Sequence, residues 1–475
     1  MPTKKNSQQK SNSKRFVLDK SVILFSPFSV LAFDDNEVYL PISVLRDVER
    51  AAELERGEMR ANAKEFGILM DELRAKGNLK EGIALDNGGT LTVAGDTTEQ
   101  SPIEFVKKYQ NYTLVTRDPF MRVEANVLGL RAEDYKSDQA PTGSGSYEGR
   151  SCLFVSPEEM QSFHKQKRLE LTKSKYAAVR MDGETLISDD YKPTVNEYII
   201  LKDASNPKKS TMLGRFDGKA IVPLLYYPGK ERGPVYGVEP RNVGQIFALD
   251  ALLAPPEVAP LVILKGPAGT GKTFLACAAA LAQTIDNWGG KDGARYHHIL
   301  LTRPNTKMDE DIGFLKGTEH DKVLPALRGL IDNIDNLSHN GKDDQQEETK
   351  DGIPVGSVFD ELLNRGTIDA QALAYMRGRS INRQYIVCDE MQNATIMQTL
   401  SIVTRAGDRS KIVLCGDPEQ IDHPLLDQRT NGISFAAERM RGSDTTWQLS
   451  FTEAECERSR LAAEAIKRMK PKGAS

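Results

Sequence analysis

The stretch Leu261 to Phe274, LVILKGPAGTGKTF, leaves its chain few choices of fold. Four apolar residues, Leu261 to Leu264, suit a buried strand. A glycine-rich turn follows, Gly266-Pro267-Ala268-Gly269-Thr270-Gly271-Lys272-Thr273, and after Phe274 the run Leu275 to Ala282 favours a helix. Glycines at 266, 269 and 271 let successive backbone N–H groups turn towards one point, and the helix starting near Lys272 adds the positive end of its dipole. This is G-x-x-x-x-G-K-T in its required strand–loop–helix setting, so residues 266 to 274 are expected to cradle a phosphate chain. Lys272 would reach the β- and γ-phosphates, and the Thr273 hydroxyl would hold Mg²⁺.

Two further strand ends extend the constellation. Tyr385 to Cys388 is an apolar run ending in Asp389-Glu390, where Asp389 would bind Mg²⁺ through water and Glu390 would act as base for an attacking water. Lys411 to Cys415 ends in Gly416-Asp417-Pro418-Glu419-Gln420, and the uncharged Gln420 amide is suited to sensing a γ-phosphate without taking its proton. About one helix before the loop stands Gln245, whose paired donor and acceptor could read the adenine edge and select ATP over GTP. The expected cofactors are therefore ATP and Mg²⁺.

Length and composition frame this core. A chain of 475 residues accommodates about three domains. With 39% hydrophobic and 27% charged residues and a net charge of -4 it is globular and carries no global basic signature, so any nucleic-acid contact must come from local patches. Cys152, Cys277, Cys388, Cys415 and Cys456 are scattered without a C-x-x-C pair, which favours small core residues in a reducing compartment. No apolar run is long enough to cross a bilayer and no signal-peptide core precedes the first polar residues, so a cytoplasmic location is expected.

Along the chain, residues 1–15 are polar and basic and read as a disordered tail. Residues 16–135 alternate strands with helices. Strands are expected at Phe16 to Asp19, Glu37 to Leu40, Thr90 to Val93 and Tyr112 to Thr116, with one long helical span from Ile42 towards Leu73. Open sheets of this kind carry functional groups at the carboxyl ends of strands, where Asp19 and Asp118 fall. Residues 136–235 begin with a linker, APTGSGS, and continue as a small β-rich module with a helix over Pro157 to Leu171 and strands at Glu197 to Leu201, Gly214 to Phe216 and Ile221 to Tyr227. The nucleotide domain occupies 236–475, and its polar stretch Thr318 to Ser357 reads as a surface insertion.

FVLDKSVILF, VYLPISVLRDVER, RANAKEFGILMDELRAKGNL and TLVTRDPFMRVEANVLGLRAEDY resemble a PIN-type nuclease domain. GPAGTGKT, LLTRPN, IVCDEMQN, LCGDPEQID and ECERSRL resemble the core of the first helicase superfamily, and most closely the PhoH-type ATPases. The resemblance covers nearly the whole chain and implies an α/β fold with a PIN-like doubly wound domain, a small β-rich middle module and a RecA-like P-loop ATPase domain. It also implies an RNA partner. Carried over by position, Asp19 matches the first metal-binding acid of the PIN site and Asp118 a later one, while Asp47 stands where glutamate is usual; Mg²⁺ or Mn²⁺ would sit among them. Two departures stand against cleavage. Gln100 or Ser101 fills the slot of a further aspartate, and Lys20 replaces the threonine after the first acid. In the ATPase half, Arg458 matches the family arginine that faces the γ-phosphate, with Arg405 a second candidate, and Arg303, Arg377 and Arg379 are the expected RNA contacts. One core cannot supply that arginine as two-core helicases do, so a homo-oligomeric ring, hexameric by resemblance, is expected. The alternative is an ATP-regulated scaffold whose PIN-like domain binds without cutting.

Overall fold

The computed structural model describes residues 14–55, 57–95, 101–109, 111–135, 146–171, 176–180, 186–188, 191–207, 211–229, 233–286, 288, 294–304, 327–339, 358–373, 381–423, 426–457 and 464. It divides near residue 139 into two compact units.

The first unit is built on a six-stranded sheet in the order Ile83–Ala84, Thr90–Ala94, Glu37–Pro41, Arg15–Leu18, Thr113–Val115, Arg131–Glu133. Every pairing is parallel except the Ile83–Ala84 edge. Connections leave Arg15–Leu18 in opposite directions, so the switch point lies between that strand and Thr113–Val115, where Asp19 and Asp118 emerge. The single helix expected from Ile42 towards Leu73 is two, Ile42–Leu54 and Gly57–Lys76. Glu55 is extended (φ -76°, ψ 165°) and ends the first. The break lets the helices fold against each other and bury Val44, Val48 and Ala51 with Ala63, Phe66 and Met70, which one straight rod could not do.

The second unit holds two sheets. One has seven strands, in the order Leu186–Ser188, Ala178–Val179, Arg150–Val155, Tyr198–Asp203, Thr211–Phe216, Ala220–Val222, Leu169–Glu170, antiparallel but for the pairing of Arg150–Val155 with Tyr198–Asp203. The helix expected to reach Leu171 is Pro157–Gln166, because Lys167 takes a left-handed φ of 54° and turns the chain into the edge strand. The strand expected to reach Tyr227 ends at Val222, since Pro223 lacks the N–H that a ladder needs. The other sheet is entirely parallel: Ile368–Ala372, His298–Arg303, Gln384–Cys388, Lys411–Gly416, Leu261–Lys265, Thr446–Ser450. Within the expected insertion, Arg328–His339 is a helix that buries Leu330, Ile334 and Leu337 at helical spacing, which corrects that part of the expectation. Cys152, Cys277, Cys388 and Cys415 are buried, as small core residues. Among the described residues no helix is long and apolar enough to cross a membrane.

One continuous apolar cluster joins the two sheets. Tyr198 of the seven-stranded sheet stacks on Phe247 of the helix Val243–Leu253, with ring centroids 4.7 Å apart. Beneath them Asp250 is fully buried, accepting from Tyr226 N–H at 2.8 Å and from Tyr198 O–H at 3.1 Å. Burial pushes its carboxyl up to about 6, against the opposing bond from Tyr226. The folded state therefore prefers the protonated acid. Its contribution to stability is complete below the unfolded value of about 3.9 and is lost as pH rises through the folded value. Asp250→Asn is expected to gain roughly 2–3 kcal/mol relative to the parent between pH 4 and pH 7. Urea unfolding at several pH values measures this, and a parent-to-variant difference constant with pH would contradict it.

Candidate nucleotide site and the carboxylates of the first unit

Leu261–Lys265 lies between Lys411–Gly416 and Thr446–Ser450 with all five residues buried, so its carboxyl end is a fixed platform. Gly266 leaves it with φ 132°, where an added Cβ would stand 2.7 Å from the Phe451 carbonyl oxygen. Gly269 and Gly271 also have positive φ, at 85° and 86°, and the helix Lys272–Thr284 starts directly after the second. Only glycine adopts such angles without strain, which is how the loop can turn its N–H groups towards one point. Phe274 is half-buried and packs against the central core.

The Lys272 ammonium folds back over the loop, donating to the carbonyls of Gly266 (2.6 Å) and Pro267 (2.8 Å) and standing 3.4 Å from Thr270 Oγ1. Burial lowers its pKa, and the carboxylates of Asp417, Asp389 and Glu390 work the other way. The site thus concentrates negative charge around one buried cation. Thr273 Oγ1 donates to Asp389 Oδ1 at 2.6 Å, joining residues 116 positions apart. Burial raises the Asp389 carboxyl, while the Thr273 hydrogen bond and the charge of Arg303 favour its ionised form. A hydroxyl and a carboxylate oxygen side by side are hard ligands of the kind that suit Mg²⁺, so these residues fit that ion.

Glu390 is held in the left-handed region at φ 53°. Its carboxylate accepts from Gln392 Nε2, which also donates to the Gln420 carbonyl at 2.9 Å, while Gln392 Oε1 accepts from Asp417 N–H at 3.0 Å. Asp417 in turn accepts from Ala268 N–H at 3.2 Å. Gln392, fully buried, therefore ties the acidic pair to the loop that carries Gln420. Sequence reasoning did not single it out, although it lies two residues after Glu390 in IVCDEMQN. Gln245 is buried with both ends of its amide on backbone groups: Oε1 accepts from Arg241 N–H (2.8 Å) and Nε2 donates to the Thr270 carbonyl (3.2 Å). Arg303 ends the strand beside Gln384–Cys388. Arg405 is half-buried just after the helix Ile396–Val403, and its carbonyl accepts from Ile381 N–H at 3.3 Å. Arg377, Arg379 and Arg458 lie outside the described residues.

In the first unit Asp19 and Asp118 are each helix N-caps, accepting from Ser21 N–H (3.1 Å) and Phe120 N–H (2.8 Å). Thr116, fully buried and missed from sequence, bridges them: its hydroxyl donates to Asp19 Oδ2 at 3.0 Å and accepts from Asp118 N–H at 3.1 Å. Asp47 is paired with Lys20 at 3.5 Å. Gln100 lies outside the described residues, and Ser101 caps the helix Pro102–Lys108. Among the described residues no three Asp, Glu, His or Cys side chains gather closely enough to hold one ion.

Comparison with known proteins agrees with this architecture. The PhoH-like protein family matches residues 237–470, and the PIN domain family matches residues 16–136. Protein PhoH2 of Bacillus subtilis is 32% identical over 475 residues, spanning 95% of this chain and 98% of that protein. Proteins PhoH2 of Thermobispora bispora and Mycolicibacterium smegmatis are 26% and 25% identical over 480 and 477 residues, spanning 96% and 95% of this chain and 97% and 95% of their own lengths. The chain belongs to the PhoH2 family, in which a PIN domain precedes a PhoH-type P-loop ATPase domain.

Proposed function

We propose that this protein is a Mg²⁺-dependent ATPase that couples ATP hydrolysis to RNA binding and unwinding, and that it works as a homo-oligomeric ring of six. The observation that carries the ATPase reading is the 2.6 Å bond between Thr273, at the end of the phosphate loop, and Asp389, with Glu390 next in the chain. Lys272 would exchange its loop carbonyls for the β- and γ-phosphates. Thr273 and Asp389 would hold Mg²⁺, which when bound neutralises phosphate charge. Glu390 would take the proton of a water attacking the γ-phosphorus as the bond to the β-phosphate oxygen breaks, giving ADP and phosphate. Gln420 would report the γ-phosphate, and Gln245, which bonds to the loop through the Thr270 carbonyl, would read the adenine edge. Arg458, or Arg405 in its place, would reach the site of a neighbouring subunit and balance transition-state charge. Arg303, Arg377 and Arg379 would contact the RNA backbone, where guanidinium groups suit bidentate phosphate recognition.

For the first unit we propose metal-dependent RNA cleavage at Asp19 and Asp118, with Asp47 contributing once released from Lys20 and with Mg²⁺ or Mn²⁺ as the ion. A second reading, in which this unit binds RNA without cutting, is favoured by the Lys20–Asp47 pair, because an ammonium beside the acids competes with a cation. Labelled single-stranded RNA incubated with Mg²⁺ or Mn²⁺, with and without ATP, separates them. Asp118→Ala is expected to abolish cleavage and leave ATP turnover intact. Cleavage that survives this substitution contradicts the assignment, and an uncut substrate that the parent protein still retards in a gel establishes the second reading.

A further inference from the structure

Arg150 opens a strand of the seven-stranded sheet, yet its guanidinium pairs with a residue that follows the last strand of the other sheet. It forms a two-pronged pair with Glu455, Nη1 to Oε1 at 2.8 Å and Nη2 to Oε2 at 2.5 Å. The arginine side chain is completely buried and that of Glu455 is 11% exposed. Burial works against the ionised Glu455, but Arg150 and the N–H and hydroxyl of Thr452 hold its carboxyl below the usual range. Room for the pair comes from Gly244, where a Cβ would stand 2.5 Å from Glu455 Oε1 and 3.0 Å from Arg150 Nη1.

Glu455 belongs to a strap, residues 451–457, that leaves the strand Thr446–Ser450 and runs along the phosphate loop. Phe451 N–H donates to the Lys265 carbonyl at 2.7 Å and Glu457 N–H to the Gly269 carbonyl at 2.8 Å. The Cys456 thiol lies 3.6 Å from the Ala268 carbonyl, and Asn242 Nδ2 donates to the Glu455 carbonyl at 3.3 Å. The peptides are trans, so each carbonyl and the N–H of the following residue point in opposite directions. A strap that captures the carbonyl of Gly269 therefore aims the N–H of Thr270 away from itself. Phosphate affinity depends on that aim.

We infer that Arg150 and Glu455 are a positioning pair for the nucleotide site: the seven-stranded sheet clamps the strap, and the strap sets the orientation of the phosphate-loop amides. This inference rests on the ATPase reading. Neither residue touches the nucleotide in it, and ATP affinity is set in part from outside the P-loop domain.

The test is titration of the intact protein with a fluorescent ATP analogue in Mg²⁺, at a temperature where circular dichroism shows every variant folded. Arg150→Lys keeps the charge but loses the fork, and Glu455→Gln keeps the shape but loses the charge. Each is expected to weaken binding about tenfold. Glu197→Gln is the control. Glu197, just before the strand Tyr198–Asp203 of the same sheet, is equally buried and bonded to Ser151, Tyr191 and Thr194, with no bond to the strap, so the variant is expected to bind as the parent does. Parent-like affinity in Arg150→Lys and Glu455→Gln overturns the inference alone, as does equal weakening in Glu197→Gln. A parent protein that binds no analogue overturns the ATPase reading and the inference with it.

Discussion

Replacing Lys272 by alanine is expected to lower ATP turnover by a factor of about 10²–10³ or more and to weaken nucleotide binding, with the fold retained. The ammonium is the one cation of the loop itself, and it already sits among the Gly266 and Pro267 carbonyls with acidic groups close by. Without it the charge accumulating on the β- and γ-phosphates loses its nearest protein counter-charge. Alanine at the first turn of a helix costs little, and the bonds lost are to carbonyls that the loop can offer to water. Phosphate release and nucleotide titration read the two effects, and a circular-dichroism melt checks the fold.

Glu390→Gln is expected to behave differently. The substitution keeps length and shape, and the amide oxygen can still accept from Gln392 Nε2, so the buried bridge to Asp417 and Gln420 survives. What disappears is the ability to take a proton. Turnover should fall by about 10²–10⁴ while ATP affinity changes only a few-fold, giving a protein that holds ATP without cleaving it. A Glu390→Gln protein that retains parental turnover would remove Glu390 from the role of base. A variant that loses affinity as severely as Lys272→Ala would mean that Glu390 serves binding.

The contrast between these variants follows from groups that were legible in the sequence because the phosphate loop and the acidic pair are local patterns. The motif placed glycines at 269 and 271 so that the loop amides could turn, and both have positive φ in the fold. The pattern also gave the strand ends that carry Asp389 and Gln420. Other parts were hidden for physical reasons. Thr116 meets Asp19 across 97 positions, and Arg150 meets Glu455 across 305, and no local period reports a contact made only when sheets assemble. The two backbone bonds of the Gln245 amide, to Arg241 N–H and the Thr270 carbonyl, were likewise hidden, because they form only when the loop closes over the helix Val243–Leu253. The break at Glu55 was missed because apolar residues continue on both sides of it. Only the need to bury two faces against one sheet divides that span into a helical pair.

We propose that ATP and its Mg²⁺ are gripped and cleaved between Lys272 and Glu390. The most direct measurement is phosphate release by the purified chain supplied with ATP, with Mg²⁺ or EDTA, with and without single-stranded RNA, beside Lys272→Ala. Turnover that requires Mg²⁺, rises with RNA and disappears in the variant is the expected result. ATP left intact by the parent under every condition, or cleaved equally fast by Lys272→Ala, would contradict it.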